Sequence, residues 1–306
     1  MPQQAPPTVD VQAARRWEAL PLALKGRQSD RPVSPWLHEE VARRMEARLQ
    51  WMLKQPQSWL HWQPLRGGIL AHALLQQRYP KAARFVMQDP PEALSLVRAA
   101  LRPPWWSPQR WKNPTRFVAP SQPVDLLWAN MALHMSPHPQ DLIQRWHGLV
   151  QSGGFLMFSC LGPDTLRELR QCYASLGWPP PAHEFTDMHD WGDMLVQAGF
   201  AEPVMDMERI TLSFSSSQTM LAELRGLGRN LHPHRFAGLR GRAWRETLYR
   251  TLAQHAAAPD QEGRLCLSFE IIYGHAFKPA PRIAVQAQTL IPLEQMRASL
   301  RTQKSV

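Results

Sequence analysis

The stretch WLHWQPLRGGILAHALL, Trp59 to Leu75, sets a short apolar run before a loop with two adjacent glycines and an apolar sequence of helical spacing. Strand, glycine loop and helix in that order is how a parallel α/β sheet turns backbone N–H groups toward a nucleotide-type ligand. Gln63, Pro64, Leu65 and Arg66 nevertheless stand where small residues would let a ligand approach the backbone. Pro64 also removes a donor. The stretch therefore reads in three ways: a cofactor loop of unusual sequence, the remains of one, or an ordinary surface turn.

Outward from it, apolar runs alternate between periods of two and of three to four. Upstream, SPWLHEEVARRMEARLQWML predicts an amphipathic helix with Ser34 as N-cap and Pro35 at its first position, burying Leu37, Val41, Met45, Leu49 and Met52. Gln57 to Trp62 predicts a first strand, and Gly68 to Tyr79 a helix stopped by Pro80. ARFVMQD, VDLLWAN and GGFLMFSC predict further strands, with helices in PPEALSLVRAAL and PQDLIQRWHGLV between them. GPDTLRELRQCYASLG predicts a helix with Pro163 in its first turn and Leu166, Leu169, Cys172, Tyr173 and Leu176 on one face. EFTDMHDWGDMLVQAGF reads as one more helix. EPVMDMERITLSF and RLCLSFEIIYGHAF read as long closing strands, separated by a helical, arginine-rich segment from about Ser216 to Glu262. This spacing predicts an α/β doubly wound, mostly parallel sheet with an antiparallel last strand. The organisation that follows is an N-terminal helical segment (1–56), a core (57–215), a helical lid insertion (216–262), a closing strand (263–277) and a basic tail (278–306).

The 306 residues carry a formal net charge of +10, through 29 arginines and 6 lysines against 25 acids. The location of that charge matters more than its total. Leu94 to Val124 contains no acid, and Thr219 to Arg250 holds seven arginines against Glu223 and Glu246, which favours acidic partners. Cys160, Cys172 and Cys266 form no close pair, so neither a disulfide framework nor a thiolate zinc site is expected, and no metal site is. The opening MPQQAPPTVD lacks the features of a signal peptide and no apolar run approaches membrane-spanning length, so a cytoplasmic location is expected. The insert RPPWWSPQRWKNPTRF is broken by prolines; its Trp105, Trp106 and Trp111 read either as a packed loop cover or as a stacking platform.

Ligands of open parallel sheets bind beyond the carboxyl ends of the strands, where strand order reverses. The candidate positions are therefore Gln63 to Gly68, Asp89, the segment from Ala129 and Asn130 to His134, and Ser159 to Gly162. A carboxylate ending the second strand suits the two hydroxyls of a ribose, and it equally suits capping of the helix that starts at Pro90.

VDLLWANMALHMSPHPQDLIQRWHGLVQSGGFLMFSCLGPDTLRELR resembles the fourth strand, helix and fifth strand of class I S-adenosylmethionine-dependent methyltransferases. More narrowly, FSCLGPDTLREL, DMHDWGDML, LRGLGRNLHPHRFAGLRGR and GRLCLSFEIIYGHAF resemble, in order, the malonyl-acyl-carrier-protein O-methyltransferases of biotin synthesis. The resemblance covers roughly residues 58–277 and departs in the first loop. There the family's Asp-x-Gly-Cys-Gly-x-Gly pattern falls on His61, Gln63 and Leu65, and only Gly67 matches. It implies a seven-stranded Rossmann-like sheet and S-adenosylmethionine as cofactor, held by Trp62, Gly67, Gly68, Asp89, Ala129, Asn130 and Met131. It also implies a malonyl group on an acidic acyl carrier protein as substrate, met by His134, Arg240, Arg242 and Tyr273. Arg240 and Arg242 flank a glycine turn and would reach a carboxylate bidentately. His189 and His275 also lie in family-like segments. A carboxylate nucleophile is already ionised at neutral pH, so no catalytic base is named.

Three other readings stand beside it. One is a partner-binding protein on the same fold that has lost the cofactor. Another is a protein-arginine-modifying relative of the complex I assembly methyltransferase-like proteins, which SPWLHEEVARRMEARL also resembles. The third, a nucleic-acid methyltransferase, lacks an Asn-Pro-Pro-type tetrapeptide after VDLLWAN to grip a flipped base.

Overall fold

The computed structural model describes residues 8–19, 34–102, 105, 113–257, 263–280 and 293–294. Trp106, Trp111 and the tail beyond Ala280, apart from Leu293 and Glu294, lie outside them; Trp105 is exposed.

Five-residue strands β1 (Ser58–Trp62) and β2 (Ala83–Met87) pair in parallel, and β1 pairs in parallel with β3 (Val124–Ala129), itself parallel to β4 (Val150–Leu161). Two long strands, β5 (Ala201–Phe214) and β6 (Leu265–Phe277), close the sheet, with β6 antiparallel to both β4 and β5. The order is β2-β1-β3-β4-β6-β5, so strand order reverses between β1 and β3. β3 is buried throughout because both faces of the sheet are covered. Its Leu126 and Trp128 face helices α2 (Trp36–Arg48) and α4 (Ala71–Arg78) through Leu37, Val41, Met45 and Leu75. Its Leu127 and Ala129 face α6 (Pro139–Leu149) and α8 (Met188–Gln197) through Ile143, Trp146, Trp191 and Leu195. The remaining short elements are α1 (Val11–Ala19), the single turn α3 (Pro64–Gly67), α5 (Leu94–Ala100) and α7 (Arg167–Ser175).

Among the described residues the sheet has six strands rather than seven. Beyond β2, Arg116 makes a single parallel bridge to Phe85, its N–H donating to Arg84 O and its carbonyl accepting from Val86 N–H, both at 2.9 Å. Pro114 and Pro120 flank this bridge, and proline cannot donate to a ladder, so the pairing goes no further. Three local expectations also shift. Ser34 does not cap α2; Pro35 holds that place without a side-chain bond, and Ser34 is buried against the first loop. α4 starts at Ala71, because Gly68 has a positive φ of 106°. α7 starts at Arg167, after Leu166 takes a left-handed conformation that sends its N–H to Ser268 O at 2.8 Å.

The excursion between β5 and β6 contains α9 (Ser217–Leu227), capped by Ser216, and α10 (Arg242–His255), whose Leu248 and Leu252 are buried in the same core as α7. The segment between α9 and α10 crosses to α1. Asp10 N–H donates to Leu231 O at 2.8 Å, Arg235 pairs with the Asp10 carboxylate at 2.9 Å, and Val9, Ala13, Ala14, Met135 and Leu231 form a small apolar cluster.

Candidate active site

The loop after β1 is built by residues far from it. Gln63 adopts a left-handed conformation (φ 50°, ψ 55°), its N–H donating to Met87 O at 2.7 Å, and starts the one-turn α3. That turn drives Leu65 into an apolar cluster with Ile69, Val86, Ala93 and Val97, and Pro64 is buried as well. Leu65 N–H donates to Gln88 Oε1 at 3.2 Å, Ser34 Oγ donates to Pro64 O at 3.3 Å, and His38 Nδ1 donates to Arg66 O at 2.6 Å. Asn130 Nδ2 donates to Gly67 O and, at 2.8 Å, to His38 O, while its Oδ1 accepts from Ser159 Oγ at 2.5 Å. Where a glycine-rich sequence would fold by its own freedom, this loop is held by four polar side chains from three other segments, with Ser159 fixing Asn130 from behind. Gly67 fits because a Cβ there would stand 2.8 Å from Asn130 O.

Pro64 and Leu65, two of the four side chains expected to crowd a cofactor, therefore turn away from it, while Gln63 and Arg66 remain at its edge. In front of the loop lies a cavity of about 890 Å³, at the reversal of strand order. Trp62, Gln63, Arg66, Gly67, Asp89, Asn130, Met131 and Arg145 line it, and α1 roofs it through Arg15, Trp17, Glu18 and Ala19. The Arg66 guanidinium lies 3.7 Å from the Trp17 ring and donates to Trp17 O at 2.9 Å; burial lowers its pKa to about 10, so it remains charged at neutral pH. Asp89 is exposed to this cavity and caps nothing, since the turn at Pro91–Ala93 has no side-chain cap. Its carboxylate lies 3.6 Å from Arg145, whose guanidinium sits 4.7 Å from the centre of the Trp62 ring.

A second cavity of about 410 Å³ adjoins the first and shares Met131 and Met135 with it. Its walls are apolar, with Leu166, Leu169 and Phe185 on one side and Leu221, Leu224 and Leu248 of the excursion on the other. Exposed Arg225, Arg229, Arg240 and Arg245 ring its mouth, and among the described residues none of the four pairs with a carboxylate. Arg240 is held 4.7 Å from the Phe236 ring and 4.3 Å from that of Trp244, which stacks on Trp178. His38, His134 and His183 line its inner end. Burial lowers all three pKa values, those of His38 and His183 to about 4, so the end of the chamber is neutral.

Of the residues expected at the cofactor, Trp62, Gly67, Asp89, Asn130 and Met131 line the first cavity; Gly68 and Ala129 are buried behind it. Gly68 is wedged against α2, where a Cβ would lie 3.2 Å from Ala42 Cβ. Of those expected at the substrate, His134 and Arg240 line the second cavity. Arg242 opens α10 in solvent, and Tyr273 is buried on the α2 face with the Arg48 guanidinium 3.6 Å from its ring centre; neither lines either of these two cavities. His189 pairs with the helix-capping Asp187 at 2.6 Å, and His275 packs edge-on against Phe277. Sequence reasoning counted Arg66 among the loop positions but only as an obstacle, and it missed Arg145 and the roof formed by α1. Ala13, Ala14 and Trp17, spaced three and four apart, are the signal that α1 buries a face. Among the described residues no group of acids, histidines and cysteines is placed to hold a metal ion, and no helix is long and apolar enough to cross a membrane.

No family model matches the chain. Among solved structures, one from Bacillus halodurans whose name provisionally calls it a methyltransferase covers 79% of this chain and 100% of its own at TM-score 0.51 and 14% identity, a likeness of fold alone. Curated relatives speak to more than fold. A malonyl-[acyl-carrier protein] O-methyltransferase of Gallionella capsiferriformans is 34% identical over 263 residues, 82% of this chain and 87% of its own length. One of the same name from Laribacter hongkongensis is 34% identical over 258 residues, 80% and 84% of the two chains. Another, from Nitrosospira multiformis, reaches 40% over 164 residues, 52% and 51%. By its strand order, its strand-end cavity and these relatives, the chain belongs to the malonyl-[acyl-carrier protein] O-methyltransferase family.

Proposed function

We propose that this protein methylates the free carboxylate of a malonyl thioester carried by an acyl carrier protein, in biotin synthesis, with S-adenosylmethionine as methyl donor. The observation that carries the reading is the pair of adjoining cavities that meet at Met131 and Met135. The first fits the cofactor: its volume lies in the range of about 300–1,000 Å³ usual for small-molecule sites, and Pro64 and Leu65 leave it open. Asp89 would accept the ribose hydroxyls, Trp62 and Met131 would offer apolar surface, and Gln63 and Gly67 would border the methionine part. When bound, S-adenosylmethionine supplies an electrophilic methyl group on a sulfonium. The chain's task is then alignment and exclusion of water, since a carboxylate of unperturbed pKa about 4 needs no base.

The second cavity suits a neutral arm with its carrier outside. Four cations without carboxylate partners at its mouth would steer an acidic carrier helix, raising its association rate in a salt-dependent way. The segment 216–262 acts as the lid that brings those cations to the mouth.

The test is calorimetric titration with S-adenosylhomocysteine beside Asp89→Ala, then incubation with malonyl-acyl carrier protein and mass spectrometry for a gain of one methyl group. Micromolar binding that the variant loses, with methyl ester formed, supports the reading. No binding at millimolar ligand refutes it and leaves a partner-binding protein on this fold.

A further inference from the structure

The inner end of the second cavity, beside the two methionines it shares with the first, is apolar except for three histidines, each with one ring nitrogen bonded to the backbone. Leu161 N–H donates to Nδ1 of His134 at 3.4 Å, which places the His134 proton on Nε2. His183 Nε2 donates to the His134 carbonyl at 2.9 Å, and the Phe185 ring stands edge-on 5.8 Å from the imidazole, fixing its orientation. Nε2 of His134 has no hydrogen-bond partner among the described residues, although the residue lines the cavity. His38 is the complement: its Nδ1 donates to Arg66 O, so its Nε2 presents a lone pair. The inner end of the chamber therefore offers one neutral donor and one neutral acceptor.

We infer that the Nε2–H of His134 reads the free carboxylate of the acyl group, donating to one carboxylate oxygen and leaving the other to face the opening at Met131 and Met135. This rests on the function proposed above and adds the residue that separates a malonyl group from an acyl group without a carboxylate. Neutrality is part of the reasoning. An imidazolium would form an ion pair with the carboxylate and draw electron density from the nucleophile. Burial of His134 in a chamber that also holds His38 and His183 opposes that charge. The lone pair of His38 repels a carboxylate oxygen placed toward it and so helps to select one orientation.

The experiment compares His134→Leu with His134→Gln, which restores an N–H donor of similar reach. Methylation of malonyl-acyl carrier protein and competitive inhibition by acetyl-acyl carrier protein are both measured, with S-adenosylhomocysteine affinity as the check on the fold. The Leu variant is expected to lose about 10- to 100-fold in kcat/KM for the malonyl carrier, the worth of one hydrogen bond to a charged group. The Gln variant should stay within about threefold of the parent, and acetyl-carrier inhibition should be unchanged in both, because that ligand has no carboxylate to read. A Gln variant as impaired as Leu, equal weakening of malonyl and acetyl carriers, or loss of S-adenosylhomocysteine binding in either variant overturns the inference. A parent protein that binds S-adenosylhomocysteine yet methylates no malonyl carrier overturns the proposed function and this inference with it.

Discussion

Asn130→Ala tests whether the first loop is held from outside. The side chain makes three buried hydrogen bonds: it donates to the carbonyls of Gly67 and His38 and accepts from Ser159 Oγ. Alanine removes the Asn130 donor from two buried carbonyls and the acceptor from the Ser159 hydroxyl. A net value of about 1 to 1.5 kcal/mol for each bond gives a loss of about 3 to 4 kcal/mol. That is a large share of a total stability of about 5–15 kcal/mol, and lowers the folding constant several-hundredfold. Ser159→Ala provides the contrast: it removes the bond to Asn130 and the 3.2 Å contact from Met131 N–H, which keeps its bond to Ser159 O at 3.0 Å, and it leaves Asn130 holding Gly67; it should cost about 1 kcal/mol. Urea unfolding gives both numbers, and calorimetry with S-adenosylhomocysteine gives their local effect. Asn130→Ala should weaken that ligand by tenfold or more, and Ser159→Ala by less than threefold. A loss below 1 kcal/mol for Asn130→Ala, or equal ligand affinities in the two variants, would refute the argument that external side chains shape the loop.

Four further outcomes are expected. Gln63→Gly relieves a left-handed backbone that costs a non-glycine residue about 1 kcal/mol, against a somewhat smaller entropic penalty for glycine. Its urea midpoint should hold or rise, and a fall of more than 1 kcal/mol would show that the Gln63 side chain makes contacts worth more than the strain. Acid should destabilise the fold above the carboxylate range. His38, His61 and His183 have pKa values lowered by burial to about 4, 3 and 4, so the unfolded chain binds more protons below the ordinary value of 6.5. Stability is full above pH 6.5 and is lost as pH falls toward 4, by about 4 kcal/mol at pH 5.5 for the three together; thermal melts across that range read it directly. His61 is fully buried with neither ring nitrogen hydrogen-bonded in the described structure, so His61→Leu should stabilise by about 1–3 kcal/mol and flatten that slope. Arg225→Glu with Arg229→Glu should slow association with the acidic carrier about tenfold at low salt, and 0.5 M salt should erase the difference, as stopped-flow fluorescence would show.

The alternation of β1 to β4 with their helices was legible because each element carries its own period, and Asp89 was legible because a strand end fixes where its side chain can go. The direction of Pro64 and Leu65 was not. It depends on one left-handed residue whose conformation is set by Met87, Gln88, Ser34 and Asn130, none of them adjacent in sequence. That the described residues form six strands rather than the expected seven was hidden for a similar reason: Arg116 pairs once beyond β2, between two prolines that cannot donate to a ladder. Arg242 was misjudged as a partner of Arg240 because two positions on either side of a glycine share a neighbourhood in sequence but not in space. Arg240 is held by Phe236 and Trp244, while Arg242 begins a helix in solvent.

The hook between Asp10 and Arg235 has a consequence for the timing of turnover. α1 is the roof of the first cavity, and the segment it hooks onto belongs to the wall of the second. Whatever enters or leaves the first cavity past that roof must break the Arg66–Trp17 contact and strain the hook as well. A carrier seated on the excursion holds the far end of that linkage still. If the proposed function holds, departure of the carrier and exchange of the spent cofactor would follow in sequence, and the residence time of one ligand would become a clock for the other.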